Sequence, residues 1–231
     1  MKNVKYLVAI AAFATLAFVG FSAFTSTSVN PTPAMPKAVA STLNLKLFIE
    51  GYYVVGNGLM KPVLKNQGQG SNDAVTDNIT VELHNASSPY GIVATATAVL
   101  NTDGTATCSF EPAVNGSYYI VVKHRSAVTT WSASPVAIGT AATTYDFTTA
   151  ATQAHGSNMA EVESGKWAFF NGDVNQDGWV NLNDVLEVYN GSAAFHTGYK
   201  TTDLNGDGAV DLSDIIIANN NSTNFVEAKQ P

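Results

Sequence analysis

The sequence predicts a mainly β protein, in which a β-sandwich is followed by a small α-helical domain. Three observations support this fold class. Apolar and polar residues alternate with a period of two in several stretches between residues 43 and 149. A 12-residue acidic pattern occurs twice after residue 172. Charged residues make up only 13% of the chain and hydrophobic residues 45%, which favours a β-rich protein over a helical enzyme.

Residues 1–23 have the features of a secretory signal peptide. Two lysines precede an apolar run from Tyr6 to Gly20, and small residues follow it. An uncleaved membrane anchor is the alternative, because apolar character continues to Phe24. We therefore expect a secreted or cell-surface protein with no membrane segment after signal cleavage. Residues 24–42 are rich in Ser, Thr, Ala and Pro and form a predicted linker.

Residues 43–149 form the predicted β-sandwich. Alternation is clear in Leu43–Ile49, Ile79–Leu83 and Tyr118–Val122, and roughly seven short strands in a segment of this length indicate an immunoglobulin-like sandwich. Asn101–Gly104 is predicted to be the turn of a hairpin. The segment from Lys65 to Asp77 is rich in Gly and Asn and is predicted to be a long exposed loop.

This β-domain offers little evidence of catalysis. Its histidines are isolated, and no Gly-x-Ser-x-Gly motif surrounds a serine. Glu50, Glu82 and Glu111 are expected to be solvent-exposed carboxylates rather than a glycosidase pair, so a glycoside-active enzyme is the least favoured function. Glycan binding is a stronger alternative, because aromatic side chains can stack on sugars. The candidate aromatic residues are Tyr52, Tyr53, Tyr90, Tyr119 and Trp131. Packing in the core is the favoured role for these side chains.

The strongest signal is a loop pattern at residues 173–184 (loop 1) that recurs at 203–214 (loop 2). Oxygen-bearing side chains occupy positions 1, 3, 5, 9 and 12 of both loops, and glycine occupies position 6, which is the spacing of an EF-hand calcium loop. Position 7 contributes a backbone carbonyl. The predicted ligands of loop 1 are Asp173, Asn175, Asp177, Trp179, Asn181 and Asp184. Those of loop 2 are Asp203, Asn205, Asp207, Ala209, Asp211 and Asp214.

Two Ca²⁺ sites follow from this pattern. Hard oxygen ligands without paired Cys or His favour calcium over a transition metal. Loop 2 carries four aspartates and loop 1 three, so loop 2 is expected to fill first. Phe195 and Phe225 share the 30-residue offset of the loops, which predicts two halves related by a pseudo-two-fold axis.

The formal charge of the chain is −7 and the sequence has no basic patch, which argues against nucleic acid as a partner.

The stretches GDVNQDGWVNLND and DLNGDGAVDLSD resemble the duplicated calcium loops of type I dockerin modules, which dock onto cohesin domains in cellulosomes and related secreted assemblies. The resemblance covers about residues 172–225. It implies a calcium-stabilised docking tail, an extracellular protein partner that is cohesin-like or other, and a role in polysaccharide-degrading or adhesive assemblies. Dockerins commonly carry Ser or Thr at positions 10 and 11 and a following Lys-Arg pair. This chain has Leu182-Asn183 and Leu212-Ser213 without that pair, so the resemblance implies calcium binding but not a cohesin specificity.

The chain also resembles secreted proteins of Bacteroidetes and Ignavibacteria in which a small β-domain precedes a dockerin-like tail, through LFIEGYY, VELHNA, NGSYYIVVKHR and YDFTTAATQA. Residues 150–170 are predicted to be a linker or joining strand, and residues 171–231 the dockerin-like domain. The helices that follow the loops are expected to be short, because Asn190-Gly191 and Asn219–Asn221 favour early ends. The leucine of each pair at positions 10 and 11, Leu182 and Leu212, is expected to turn into the small core.

Overall fold

The computed structural model describes residues 39–231. The predicted signal peptide and most of the predicted linker lie outside the described residues. The strands are β1 (Ser41–Lys46), β2 (Tyr53–Val54), β3 (Leu59–Met60), β4 (Val75–Asn85), β5 (Ile92–Asn101), β6 (Thr105–Phe110), β7 (Gly116–Lys123), β8 (Thr130–Trp131), β9 (Val136–Ile138), β10 (Thr143–Asp146), β11 (Ala160–Glu163) and β12 (Lys166–Ala168). The helices are α1 (Val63–Asn66), α2 (Leu182–Ala193) and α3 (Leu212–Thr223).

Two sheets form the sandwich. One has the order β5-β4-β7-β8, with β9 also paired to β7, and the other has the order β10-β1-β6. Strand β1 is parallel to β10 and antiparallel to β6. Leu43 from one sheet and Leu83 and Ile120 from the other are fully buried in a single hydrophobic core. The predicted fold class, a β-sandwich followed by C-terminal helices, is confirmed.

The predicted turn at Asn101–Gly104 is present, but it does not close a hairpin. Strand β5 pairs with β4, whereas β6 pairs with β1 in the opposite sheet, so the turn is a corner between the two layers. Gly104 adopts a φ of +86°, and a Cβ there would lie 2.7 Å from the Leu47 carbonyl oxygen. The positive φ and the close contact both favour glycine at this position. The prediction of a hairpin was wrong because the residues of a turn do not determine which strands pair.

Most of the aromatic side chains weighed for glycan binding lie in the interior. Tyr52, Tyr53 and Trp131 are buried. The expectation of solvent-exposed glutamates was wrong at Glu82. This carboxylate is buried, lies 2.8 Å from His84 Nε2 and accepts a hydrogen bond from Lys123 Nζ at 2.9 Å. A buried carboxylate needs such partners because desolvation penalises its charge.

The segment predicted to be a linker or joining strand is folded. It contains two 3₁₀ turns and the β11–β12 hairpin. Phe169 follows β12 and is buried, with its ring centroid 5.0 Å from that of Phe147 in the β-domain core. The described residues belong to one compact unit. The predicted domain boundaries stay predictions. No helix between residues 39 and 231 is long and apolar enough to cross a membrane.

A buried polar junction ties the C-terminal segment to the β-domain. Asn221 Nδ2 donates to the Asn171 carbonyl at 2.7 Å and to Glu50 Oε2 at 2.6 Å. Asn171 Nδ2 donates to the Glu50 and Leu204 carbonyls at 3.1 and 2.8 Å. Burial raises the pKa of Glu50, and the Asn221 hydrogen bond opposes that shift.

We predict that Asn221→Ala lowers the free energy of unfolding by about 2–4 kcal/mol, because it leaves the half-buried carboxylate of Glu50 and the buried carbonyl of Asn171 short of a donor. Asn220→Ala is the matched control. It lies next in the helix with an exposed side chain, and it should cost less than about 0.5 kcal/mol. Denaturant unfolding in excess calcium measures both, and equal losses would show that the junction does not stabilise the fold.

Candidate metal centre

Each loop runs directly into a 12-residue helix whose first turn is capped by the loop itself. The Asn181 side chain accepts a hydrogen bond from Asn183 N at 2.8 Å, and Asp184 Oδ2 accepts one from Asn181 N at 3.0 Å. Asp211 and Asp214 form the same capping box at α3. Positions 9 and 12, both predicted ligands, therefore also start the helices.

The helices are longer than expected. Both continue through the Asn and Gly residues that favoured early ends. Gly191 is buried against the other half, and a Cβ there would lie 3.1 Å from Thr202 Oγ1 and 3.2 Å from Val210 Cγ1. Tight helix packing, rather than chain termination, explains the glycine.

The inward turn expected for a leucine is also wrong. Leu182 is 75% exposed and Leu212 is 66% exposed. Each is the first residue of its helix, and its side chain lies at the surface of the protein.

The position-12 aspartates close the loops. Asp184 Oδ1 accepts hydrogen bonds from Val174 N at 3.0 Å and Asn175 N at 3.3 Å. Asp214 accepts the equivalent pair in loop 2 at 2.7 and 2.9 Å. Because the same carboxylates also cap the helices, each one joins the beginning and the end of its loop.

The remaining predicted side-chain ligands wrap the chain around the carboxylates. In loop 1, Asp177 N donates to Asn175 Oδ1 at 2.8 Å, Trp179 N donates to Asp177 Oδ1 at 3.0 Å, and Gly178 N donates to Asp173 Oδ2 at 3.1 Å. Loop 2 repeats all three bonds at 2.8 to 3.0 Å. The φ of Gly178, +89°, explains the glycine at position 6.

The charge distribution of the loops fits a divalent cation. Asp173 is 1% exposed, and its Oδ1 atom has no hydrogen-bond partner among the described residues. Burial and the neighbouring Asp184 carboxylate raise the pKa of Asp173 to about 6. Burial raises the pKa of Asp214 to about 6 and also raises that of Asp203. Buried, crowded carboxylates of this kind are stabilised when a cation neutralises them.

The ligand set is mixed in chemistry. No cluster of three or more Asp, Glu, His or Cys side chains suited to a metal occurs among residues 39–231. EF-hand loops do not require one, because amide oxygens, a backbone carbonyl and water complete the coordination.

The two halves interlock through position 7. Trp179 in loop 1 forms an antiparallel bridge with Glu227, which follows α3, and Ala209 in loop 2 forms one with Thr197, which follows α2. The backbone around position 7 is thus held by the opposite half in each case, through hydrogen bonds that Ala228 N donates to the Gly178 carbonyl and Gly198 N donates to the Gly208 carbonyl. The predicted equivalence of Phe195 and Phe225 is visible in their φ angles, +52° and +53°, and in their exposures, 87% and 85%.

Residues of the β-domain also contact loop 2, and no sequence pattern predicts these contacts. Gln67 Nε2 donates to Asp203 Oδ2 at 2.5 Å, and Lys61 Nζ donates to the Asn205 carbonyl at 2.8 Å. Gln67 is buried, although it lies in the segment 65–77 that was predicted to be exposed. No sequence motif identifies such long-range contacts.

Comparison with known proteins shows what the C-terminal segment is similar to. Residues 171–221 match the family model of the dockerin type I domain. Two type II cohesin–X-dockerin complexes from Acetivibrio cellulolyticus, mutated at the C-terminal and N-terminal interface, resemble the chain in structure. Their identities are 19% and 18% and their TM-scores 0.48 and 0.46, and each match covers 80% of this chain and 99% of the other. No curated protein matches the chain.

We predict that Asp173→Asn stabilises the metal-free protein at pH 7 by about 1–2 kcal/mol, because it removes a buried charge whose folded-state pKa is raised. The advantage should be fully present above pH 6, shrink as the pH falls through the folded-state pKa, and disappear only below the ordinary pKa of 3.8, where the wild-type carboxyl is protonated in both folded and unfolded chains. Unfolding in chelator across this range measures it. An advantage that does not change with pH would show that the carboxylate charge is not its source.

Proposed function

We propose that the C-terminal segment, which matches the dockerin type I domain, binds two Ca²⁺ ions and docks the protein to an extracellular protein partner, cohesin-like or other. Dockerin type I domains are calcium-binding, non-catalytic docking modules. The observation that carries the calcium part is the buried Oδ1 atom of Asp173 at the first position of loop 1, which has no hydrogen-bond partner within residues 39–231. A buried carboxylate oxygen without a donor needs a cation or water as its partner.

In this proposal each loop supplies oxygens from the side chains at positions 1, 3, 5 and 12 and from the carbonyls of Trp179 and Ala209. Asn181 and Asp211 at position 9 act through water, since their side chains also cap the helices. Bound calcium would neutralise the buried aspartates and fix the helix starts. The outer face of the helices would thereby be held in shape for a partner.

The docking face is a repeated apolar surface on α2 and α3 and on the residues that directly follow them. Leu182 and Leu212, Leu186 and Ile216, and Phe195 and Phe225 are exposed in pairs at the 30-residue offset. Exposed apolar patches of this kind mark interaction sites in soluble proteins. Position 10 of each loop is a leucine, and no Lys-Arg pair follows it. This surface is therefore apolar, and we infer that docking depends only weakly on salt.

Phe195 and Phe225 give the strongest support for this face. A left-handed φ costs a bulky residue about 1 kcal/mol or more, which is why glycine is usual at this point after a helix. Both phenylalanines bear that cost while remaining more than four-fifths exposed, so burial within the chain returns little. Contact with a partner would supply the missing burial.

The proposal places the protein outside the cell. The predicted signal peptide supports export, and the absence of motifs for catalysis in the sequence of the β-domain supports a non-catalytic protein. Docking modules of this type suit polysaccharide-degrading or adhesive assemblies, in which the β-domain would be the cargo or an adaptor.

We predict that docking needs calcium and that the two halves can substitute for one another. Leu182→Asp or Leu212→Asp alone should weaken capture of cohesin domains less than about fivefold, whereas the double change should weaken it at least about a hundredfold. Aspartate is tolerated at the first position of a helix, so folding should be unaffected. Pull-down and surface-binding assays in calcium and in chelator measure the effect.

The matched control for this experiment is Val55→Asp, an equally polar change at a 67% exposed position of the β-domain. It should leave capture unchanged. Undiminished capture by the double variant, or capture that persists in chelator, would contradict the proposed docking face.

Glycan binding is the second candidate function, because a specific cleft favours it. A cavity of about 420 Å³ is lined by Trp131 and Trp179 together with the ion-paired Glu82, His84 and Lys123. Aromatic faces beside fixed polar groups are the chemistry that binds sugars, and Trp179 is 55% exposed.

We predict for this second function that Trp179→Ala removes binding on a glycan array while leaving cohesin capture intact. Tyr189→Ala, which changes a similarly exposed aromatic residue away from the cleft lining, is the control. A wild-type protein that binds no glycan on the array would eliminate this candidate.

A further inference from the structure

We propose that Lys61 and Gln67 of the β-domain act on loop 2 as an internal substitute for calcium, so that Lys61 weakens calcium binding there and stabilises the metal-free loop. This inference rests on the proposed calcium binding of both loops. It makes the two loops unequal, although their sequence patterns are nearly the same.

Loop 2 packs on residues 51–67, whereas positions 3 to 5 of loop 1 are exposed. Asn205 is buried and its counterpart Asn175 is exposed. A Cβ on Gly206 would lie 2.4 Å from Val63 Cγ2, and Asn66 Nδ2 donates to the Gly206 carbonyl at 2.9 Å. The glycine at position 4 of loop 2 is thus required by close contact with the β-domain.

Gln67 completes the hydrogen bonding of the first ligand in loop 2. The Asp203 carboxylate accepts from Gly206 N and Gly208 N, both at 2.8 Å, and from Gln67 Nε2 at 2.5 Å. Arg125 donates to Gln67 Oε1 at 2.8 Å and thereby fixes the orientation of the amide. In loop 1, by contrast, Asp173 Oδ1 has no donor among the described residues.

Lys61 brings a positive charge to Asn205, the ligand at position 3 of loop 2. Its Nζ atom lies 2.8 Å from the Asn205 carbonyl oxygen and 3.5 Å from Asn205 Oδ1. Within residues 39–231, no Lys or Arg side chain makes a hydrogen bond or ion pair with a predicted ligand of loop 1. The lysine offsets the additional aspartate of loop 2, Asp211, so the number of carboxylates alone does not decide which loop binds calcium more tightly.

The same charge acts in opposite directions in the two states. Without metal, Lys61 neutralises part of the repulsion among the four aspartates of loop 2. With metal, it repels the divalent ion from a few ångströms away, which corresponds to roughly tenfold in the dissociation constant even at a water-like dielectric. The β-domain therefore holds loop 2 in a formed state and lowers its need for calcium.

The experiment isolates one loop at a time in the full chain. Asp177→Ala removes a position-5 ligand from loop 1, and Asp207→Ala removes the equivalent ligand from loop 2. In the Asp177→Ala protein, Lys61→Met should tighten calcium binding about tenfold by calorimetry and lower the Tm in chelator by several degrees. In the Asp207→Ala protein, Lys61→Met should leave calcium affinity unchanged.

Lys65→Met is the matched control. Lys65 lies four residues away, carries the same charge and pairs with Asp73 at the surface rather than with loop 2. Lys61→Gln, which keeps a hydrogen-bond donor without the charge, should reproduce Lys61→Met, and Lys61→Arg should restore wild-type binding.

Two outcomes overturn different statements. If Lys61→Met and Lys61→Gln behave like Lys65→Met while calcium still binds, the role of Lys61 is wrong and the proposed function stands. If neither the Asp177→Ala nor the Asp207→Ala protein binds calcium and the wild type gives no calcium heat, the proposed calcium function is wrong and this inference fails with it.

Discussion

Burial of the loop aspartates is the constraint on which the C-terminal segment depends. Asp173, Asp184, Asp203 and Asp214 are no more than 1% exposed, and their oxygens lie where the chain enters and leaves each loop. They accept hydrogen bonds from the backbone N–H groups that define the loop shape, and two of them, Asp184 and Asp214, also cap the helices. A change that disturbs these charges therefore affects loop, helix and the bridge to the opposite half together.

The sequence predicted those parts of the structure that depend on neighbours along the chain. The loop pattern places oxygen atoms at fixed local spacing, and the structure repeats the same hydrogen bonds in both copies. The two-residue alternation in β1 likewise matches alternating burial, so this part of the sandwich was predictable, whereas in β7 the consecutive residues 120–122 are all buried. The turn at Asn101–Gly104 was predicted correctly, because it depends on the residues of the turn itself. The pairing of the flanking strands depends on distant residues and was not predicted.

The features that sequence analysis missed depend on contacts between distant residues. Asn221 was interpreted as a helix stop because Asn is a weak helix former, yet its side chain serves the junction with Glu50 and Asn171. One signal was available: the first copy has Gly191 where the second has Asn221, although the residues on either side are the same in both copies. Such departures mark the positions at which the two halves face different surroundings. The contacts of Lys61 and Gln67 with loop 2 carried no comparable signal.

The backbone bridges between the two halves have a consequence for biosynthesis. Loop 1 is completed by residues that follow α3, because Val180 N donates to the Val226 carbonyl at 2.8 Å and Ala228 N donates to the Gly178 carbonyl at 2.7 Å. During vectorial synthesis or export, the first loop to emerge must wait for a segment about 50 residues further along the chain. Loop 2 faces no such delay, since its bridge partner Thr197 precedes it. The order in which the loops mature is therefore the reverse of their order in the sequence.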